Sequence, residues 1–236
     1  MAWTLVTGGA RRLGAEICKT LAEQHHDIIV HYKSSKQDAE DVASSCCSRG
    51  VKAEIIQGDF SSYESTERFV KEIRERFSTV SHLINNVGNY ENGLVSQTLP
   101  HHWNALFQVN LHATQTIIQG LLPTIIQSQG CIVNIGVAGI ESMRVAKSCG
   151  VYSMTKIGLL AFTRALAFEL ASHNVTVNMV SPGQMEISVN KPEPNALPMR
   201  RFGTQNEVAK VIAFLLNKEN HYITGQNIEI AGGYAL

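Results

Sequence analysis

Short, mostly apolar runs alternate along this chain with stretches whose apolar positions recur every three or four residues. Ala2 to Thr7, Ile28 to Tyr32, Ala53 to Gln57, His82 to Asn85, Cys131 to Ile135, Val175 to Val180 and Asn227 to Ile230 form the first set and predict seven strands. Between them, Ala15, Ile17, Cys18, Leu21 and Ala22 fall at helical spacing, as do Phe69, Ile73 and Phe77 within Tyr63 to Phe77. Further helices are expected over Gln37 to Ser48, from about Pro100 to Gln127 with a break near Pro123, over Tyr152 to Ser172, and over Asn206 to Leu216. Strands separated by helices pair in parallel through right-handed crossovers. The expectation is an α/β chain with one domain over residues 1–236, a doubly wound parallel sheet of about seven strands flanked by helices. Gln184 to Arg201, rich in proline and asparagine, is the one long irregular stretch.

Charge narrows the partners. Twenty basic and twenty acidic residues leave a formal charge of zero, which argues against nucleic acid or an anionic membrane as the main partner. No apolar stretch approaches 18 residues, and the N-terminus enters a strand without a signal-peptide pattern. Cys18, Cys46, Cys47, Cys131 and Cys149 are odd in number and lack C-x-x-C spacing, so they read as reduced thiols of a cytoplasmic protein rather than a disulfide framework or zinc site. His25-His26 and His101-His102 read as polar loop and helix-end residues, and no metal is expected.

Two local patterns carry chemistry. After the first strand comes Gly8-Gly9-Ala10-Arg11-Arg12-Leu13-Gly14 and then a helix, the geometry that turns backbone N–H groups and a helix N-terminus toward a pyrophosphate. The pattern is T-G-x-x-x-R-x-G, with Arg12 where a glycine more often sits. The second is Tyr152 and Lys156, four residues apart on one helix face. A cation beside a phenol favours the phenolate, so the spacing predicts a tyrosine able to exchange protons near neutral pH.

Thr7-Gly8 with Gly14, Asp59, Asn85-Asn86-Val87-Gly88, Asn110, Tyr152 with Lys156, and Pro182-Gly183 follow one another as in the short-chain dehydrogenase/reductase family. The chain resembles that family over essentially its whole length, which implies a single-domain Rossmann fold. The resemblance implies that Lys156 holds the nicotinamide ribose and lowers the Tyr152 pKa. It makes Tyr152 the proton donor to the substrate, with Asn110 ordering a water behind the lysine. It places a dinucleotide against Thr7, Gly8, Arg11, Arg12, Leu13, Gly14, Tyr32, Lys33, Ser34, Asp59, Phe60, Asn86, Val87, Gly88, Pro182 and Gly183, as well as Tyr152 and Lys156. The second strand ends in His31-Tyr32-Lys33-Ser34-Ser35, with no acid before Asp38. Lys33 and the serines, joined by Arg12, suit a 2′-phosphate, so NADP(H) is the expected cofactor. In the family, the helices from Pro100 and from Tyr152 pair two subunits, so a homo-oligomer, dimer or tetramer, is implied.

One family feature is missing. The serine that meets the reacting carbonyl lies about thirteen residues before the tyrosine; that count reaches Gly139, and aligning the fifth strand reaches Val137. Neither side chain can donate, which leaves Ser142, Arg144 and Ser148 in the intervening loop as candidates. The C-terminal third, including Met199-Arg200-Arg201-Phe202-Gly203 and Tyr222-Ile223-Thr224-Gly225-Gln226, resembles bacterial 3-oxoacyl-acyl-carrier-protein reductases. The arginines that those enzymes present to the carrier protein are absent: Ser128-Gln129 and His173 stand in their places. The glycine turn and His31-Tyr32-Lys33-Ser34 resemble pteridine and dihydromonapterin reductases instead. Three readings follow: a reductase of a 3-oxoacyl thioester, a pteridine reductase, or an NADP(H)-binding sensor or scaffold.

Overall fold

In the computed structural model, which describes residues 2–142, 149–189 and 191–234, seven strands lie side by side, each parallel to its neighbours. They are β1 (Trp3–Val6), β2 (Asp27–Tyr32), β3 (Ala53–Gln57), β4 (Val80–Asn85), β5 (Cys131–Ile135), β6 (Thr176–Pro182) and β7 (Asn227–Ile230). The helices between them are α1 (Arg12–Glu23), α2 (Lys36–Cys47), α3 (Tyr63–Arg76), α4 (Pro100–Phe107), α5 (Ala113–Gln127), α6 (Gly150–Leu170) and α7 (Gln205–Leu216). The spatial order is β3-β2-β1-β4-β5-β6-β7. The sheet therefore grows outward in both directions from β1 and β4, and the crevice at that switch point opens beyond the strands' carboxyl ends.

Side chains alternate across the sheet and build a core on each face. Leu5, Ile29, Leu83, Ile132 and Val177 meet Phe69, Ile73, Ile117, Leu121 and Leu166 from α3, α5 and α6. Val6, Val30, Ile84, Val133 and Val180 point the other way, to Ile17, Leu21, Val42, Val208 and Ile212 from α1, α2 and α7. A strand covered on both faces must be apolar at successive positions, which explains the continuous runs in the sequence. Each such side chain contributes roughly 1.5–3 kcal/mol by leaving water. Capping boxes at Ser62/Ser65 and Thr204/Glu207 start α3 and α7.

The helix expected to break near Pro123 runs through it. Pro123 and Gln119, four residues earlier, are both exposed, so the carbonyl that loses its helical partner is left to water. The interruption falls earlier, where Gln108–His112 form a π-helical turn between α4 and α5. β6 extends two residues past Val180, because Pro182 accepts from the Ala138 N–H at 3.0 Å and Gly183 donates to the Ile230 carbonyl at 3.0 Å. Among the described residues, no helix is long and apolar enough to cross a membrane. All five cysteines are free thiols.

Candidate active site

Close approach shapes the turn after β1. A side chain at Gly14 would put its Cβ 2.0 Å from the Gly8 carbonyl oxygen, so α1 begins hard against the turn. Arg12 has φ +49°, a left-handed conformation that costs a non-glycine residue roughly 1–2 kcal/mol; this is the physical reason a glycine is commoner there. The Arg12 side chain is exposed, and Leu13 is buried in the core. Arg11 is held by Asp38, Nε to Oδ2 at 2.8 Å.

Thr7 and Asn86 join the ends of β1 and β4. The Thr7 hydroxyl oxygen accepts from the Asn86 N–H at 2.9 Å and the Val87 N–H at 3.1 Å, and Asn86 Nδ2 donates to the Thr7 carbonyl at 3.0 Å. His31 does the same work between β1 and β3. The Gly8 N–H donates to His31 Nδ1 at 2.8 Å, so the ring proton resides on Nε2, 3.1 Å from the Gly58 carbonyl. The imidazole stacks on Phe60, with centroids 4.4 Å apart, and burial holds its pKa down to about 4.

Beyond these strand ends lies a cleft of about 180 Å³, lined by Gly8, His31, Lys33, Asp59, Phe60 and Val87 among others. Lys33 Nζ lies 2.9 Å from Asp59 Oδ1. Burial works against ionisation of Asp59, yet Lys33 and the Ser61 N–H hold its carboxyl below the usual range. Ser34 is exposed and Tyr32 is buried.

Tyr152, Lys156 and Asn110 gather at the ends of β4 and β5. Lys156 is buried and donates to the Ile135 carbonyl at 2.7 Å; burial lowers its pKa to about 8. Asn110, in the π-helical turn, accepts from the Asn89 N–H at 2.7 Å and donates to the Asn89 carbonyl and Thr155 Oγ1, each at 3.0 Å. A π turn widens the helix by one residue and is common at functional sites; here it aims one amide at three backbone and side-chain partners. A Cβ at Gly88 would lie 3.5 Å from both Asn110 Oδ1 and Lys156 Nζ, so the glycine leaves these groups open to the crevice. Pro182-Gly183 lies at the carboxyl end of β6, the strand beside β5.

The phenol departs from expectation. Burial, then the neighbouring Cys149 and Tyr90, push the Tyr152 pKa up, not down. The Lys156 ammonium is turned to Ile135 and stands 5.9 Å from the Tyr152 ring centroid, so its attraction does not offset desolvation.

Among the described residues, no side-chain donor stands at Val137 or Gly139, the serine's place. Val137 packs against the cluster of Ile140, Leu159, Leu160 and Met179. Gly139 has φ +87°, and its N–H is taken by Glu229 Oε1 at 2.8 Å. Ser142 donates to the Gly139 carbonyl at 2.9 Å. Arg144 and Ser148 lie outside the described residues. Two residues that sequence reasoning passed over are prominent. His31 was detectable as a lone polar residue inside the apolar run Ile28-Ile29-Val30-His31-Tyr32. Tyr90, whose ring meets Tyr152 edge-on with centroids 5.0 Å apart, carried no sequence signal. Among the described residues, no cluster of three histidine, cysteine or acidic side chains is placed to hold a metal ion.

A family model described as enoyl-(acyl carrier protein) reductase matches residues 8–235. A 3-oxoacyl-acyl-carrier-protein reductase of Staphylococcus epidermidis is 31% identical over 238 residues, covering 97% of each chain. An acetoacetyl-CoA reductase of Allochromatium vinosum is 32% identical over 242 residues, 97% of this chain and 96% of its own. Among solved structures, a blue fluorescent protein from a metagenomic library, in complex with NADPH, superposes with a TM-score of 0.91 at 27% identity, covering 100% of this chain and 98% of that one. A short-chain dehydrogenase of Burkholderia cenocepacia, in complex with NADP, gives 0.90 at 27% identity over 98% and 97%.

Proposed function

As those matches establish, the chain belongs to the short-chain dehydrogenase/reductase family, and we propose that within it the protein reduces a 3-oxoacyl thioester with NADPH. It is an NADP-dependent oxidoreductase acting on a carbonyl/alcohol pair. The crevice suits the cofactor. β2 ends without an acid to repel a 2′-phosphate, and Lys33 stands at the rim of the cleft.

Lys33 and Ser34 would hold the 2′-phosphate, with the exposed Arg11 and Arg12 beside them. Exposed ion pairs such as Lys33–Asp59 and Arg11–Asp38 are screened by solvent and contribute little, so both cations can exchange carboxylate for phosphate. Asp59 would face the adenine, and Thr7, Asn86, Val87 and Gly88 would shape the floor between β1 and β4. Lys156 would hold the nicotinamide ribose, and Pro182-Gly183 would border the carboxamide. NADPH supplies the hydride when bound. The Tyr152 hydroxyl gives its proton to the substrate oxygen, and its raised pKa keeps that proton in place at neutral pH. Lys156 stabilises the charge left on the phenol oxygen, and Asn110 fixes the loop at Asn89 and the helix at Thr155 around it.

The observation that carries this reading is the convergence of Tyr152, Lys156 and Asn110 beside Gly88, in a chain whose relatives reduce 3-oxoacyl and acetoacetyl thioesters. The carrier-free thioester is the substrate to test, because Ser128, Gln129 and His173 offer no arginine to a carrier protein. We place two copies together through α4, α5 and α6; Phe168 on α6 is 88% exposed in the single chain. The test is loss of NADPH absorbance with acetoacetyl thioester, a dihydropteridine and a simple diketone in parallel. Turnover greatest with the thioester supports the reading, and turnover of the dihydropteridine alone replaces it.

A further inference from the structure

We propose that the Tyr90 hydroxyl donates the hydrogen bond to the substrate carbonyl, taking the place of the missing serine. The inference rests on the reductase reading above and adds a catalytic residue to it. Hydride arriving at the carbonyl carbon breaks the C=O π bond and sends its electron pair to oxygen. Tyr152 protonates that oxygen, while Tyr90 keeps its own proton and stabilises the developing charge.

Among the described residues, other hydroxyls close to Tyr152 in the chain are turned to backbone carbonyls. Ser142 donates to the Gly139 carbonyl, Ser153 Oγ to the Cys149 carbonyl at 3.1 Å, and Thr155 Oγ1 to the Tyr152 carbonyl at 2.7 Å. The Gly139 N–H serves Glu229, and Asn89 faces the cofactor cleft. Tyr90 is different. Its ring rests edge-on against that of Tyr152, with centroids 5.0 Å apart and planes at 75°. It is 45% exposed, so substrate can reach it.

The Tyr90 hydroxyl points at a carbonyl oxygen in this structure. It donates to Asn92 Oδ1 at 2.8 Å, an amide oxygen with the acceptor geometry of a ketone. Asn92 in turn lines a cavity of about 230 Å³, together with Glu91, Leu94, Leu99, His102 and Val151 among others. Its lining includes Glu91 and Val151, the chain neighbours of Tyr90 and Tyr152. A substrate entering from it would present its carbonyl to Tyr90 in exchange for Asn92, an acceptor-for-acceptor swap that leaves no buried group unpaired.

Tyr90→Phe tests the idea, because it keeps the ring against Tyr152 and removes only the hydroxyl. With saturating NADPH and acetoacetyl thioester, kcat should fall ~10²–10³-fold, the loss typical of one oxyanion donor, while NADPH affinity stays unchanged. Tyr152→Phe, measured alongside, should lose turnover altogether. A Tyr90→Phe enzyme with wild-type kcat beside an inactive Tyr152→Phe overturns the role of Tyr90 and leaves the reductase reading standing. Wild-type protein that binds NADPH and reduces no carbonyl overturns both.

Discussion

The Lys156 ammonium donates to the Ile135 carbonyl at 2.7 Å in the floor of the crevice. Burial there lowers its pKa to about 8, against about 10.4 for a lysine in an unfolded chain. Between those values the unfolded chain holds a proton that the folded one has released, so this group makes stability rise with pH across that window. Below it, the cofactor-free protein carries a deficit of about 3 kcal/mol. Lys156→Met removes that dependence. The difference in unfolding free energy between variant and wild type should shrink or reverse by about that amount from pH 7 to 10, read from denaturant melts. Comparing the two proteins cancels the buried thiols, whose raised pKa values act in the opposite direction. A difference flat with pH contradicts the assignment.

His31 ties the glycine turn to β3 through Gly8 and Gly58. Its pKa of about 4 means that stability present above about pH 6.5 is lost as pH falls toward 4, when the unfolded imidazole charges first. His31→Phe keeps a ring against Phe60 but strips the acceptor from the Gly8 N–H. It should cost about 1–3 kcal/mol at pH 7 and show a shallower acid-limb decline than the wild type, the part due to His82 and His26 remaining. Thermal melts across pH 4 to 7 check both.

Asn110→Ala deletes three hydrogen bonds at the π-helical turn. The buried Thr155 hydroxyl and the Asn89 backbone lose a partner, so stability should fall by about 1–3 kcal/mol. Because the amide positions the catalytic loop and helix, kcat should fall more than the NADPH affinity does. Steady-state kinetics with a parallel binding titration separate the two.

Lys33→Ala should weaken NADPH at least roughly tenfold, about 1.4 kcal/mol, and leave NADH nearly unchanged. Loss of its exposed pair with Asp59 costs the fold little. Equal weakening of both cofactors contradicts the 2′-phosphate assignment.

The sheet was legible because strands covered on both faces must be apolar throughout, and helices between them fix parallel pairing. The cofactor turn was legible too, and its Arg12 gained a physical account only from the positive φ. The π-helical turn was not: it depends on Asn89 and Thr155, which lie 21 and 45 residues from Asn110. Pro123 drew attention in its place because local sequence cannot tell an exposed helix face from a buried one. The direction of the Tyr152 shift also escaped, since spacing places an ammonium near a phenol without showing that Ile135 claims it. The substitute for the serine could only be found in space, because Tyr90 lies 62 residues before Tyr152, in the loop after β4.

The central claim is that Tyr152 delivers the proton in an NADPH-dependent reduction. The most direct measurement is turnover of acetoacetyl thioester by Tyr152→Phe at saturating NADPH, with cofactor affinity taken from quenching of protein fluorescence. The account predicts turnover reduced at least ~10²-fold with affinity within about threefold of wild type. Undiminished turnover in a variant that still binds NADPH would contradict it.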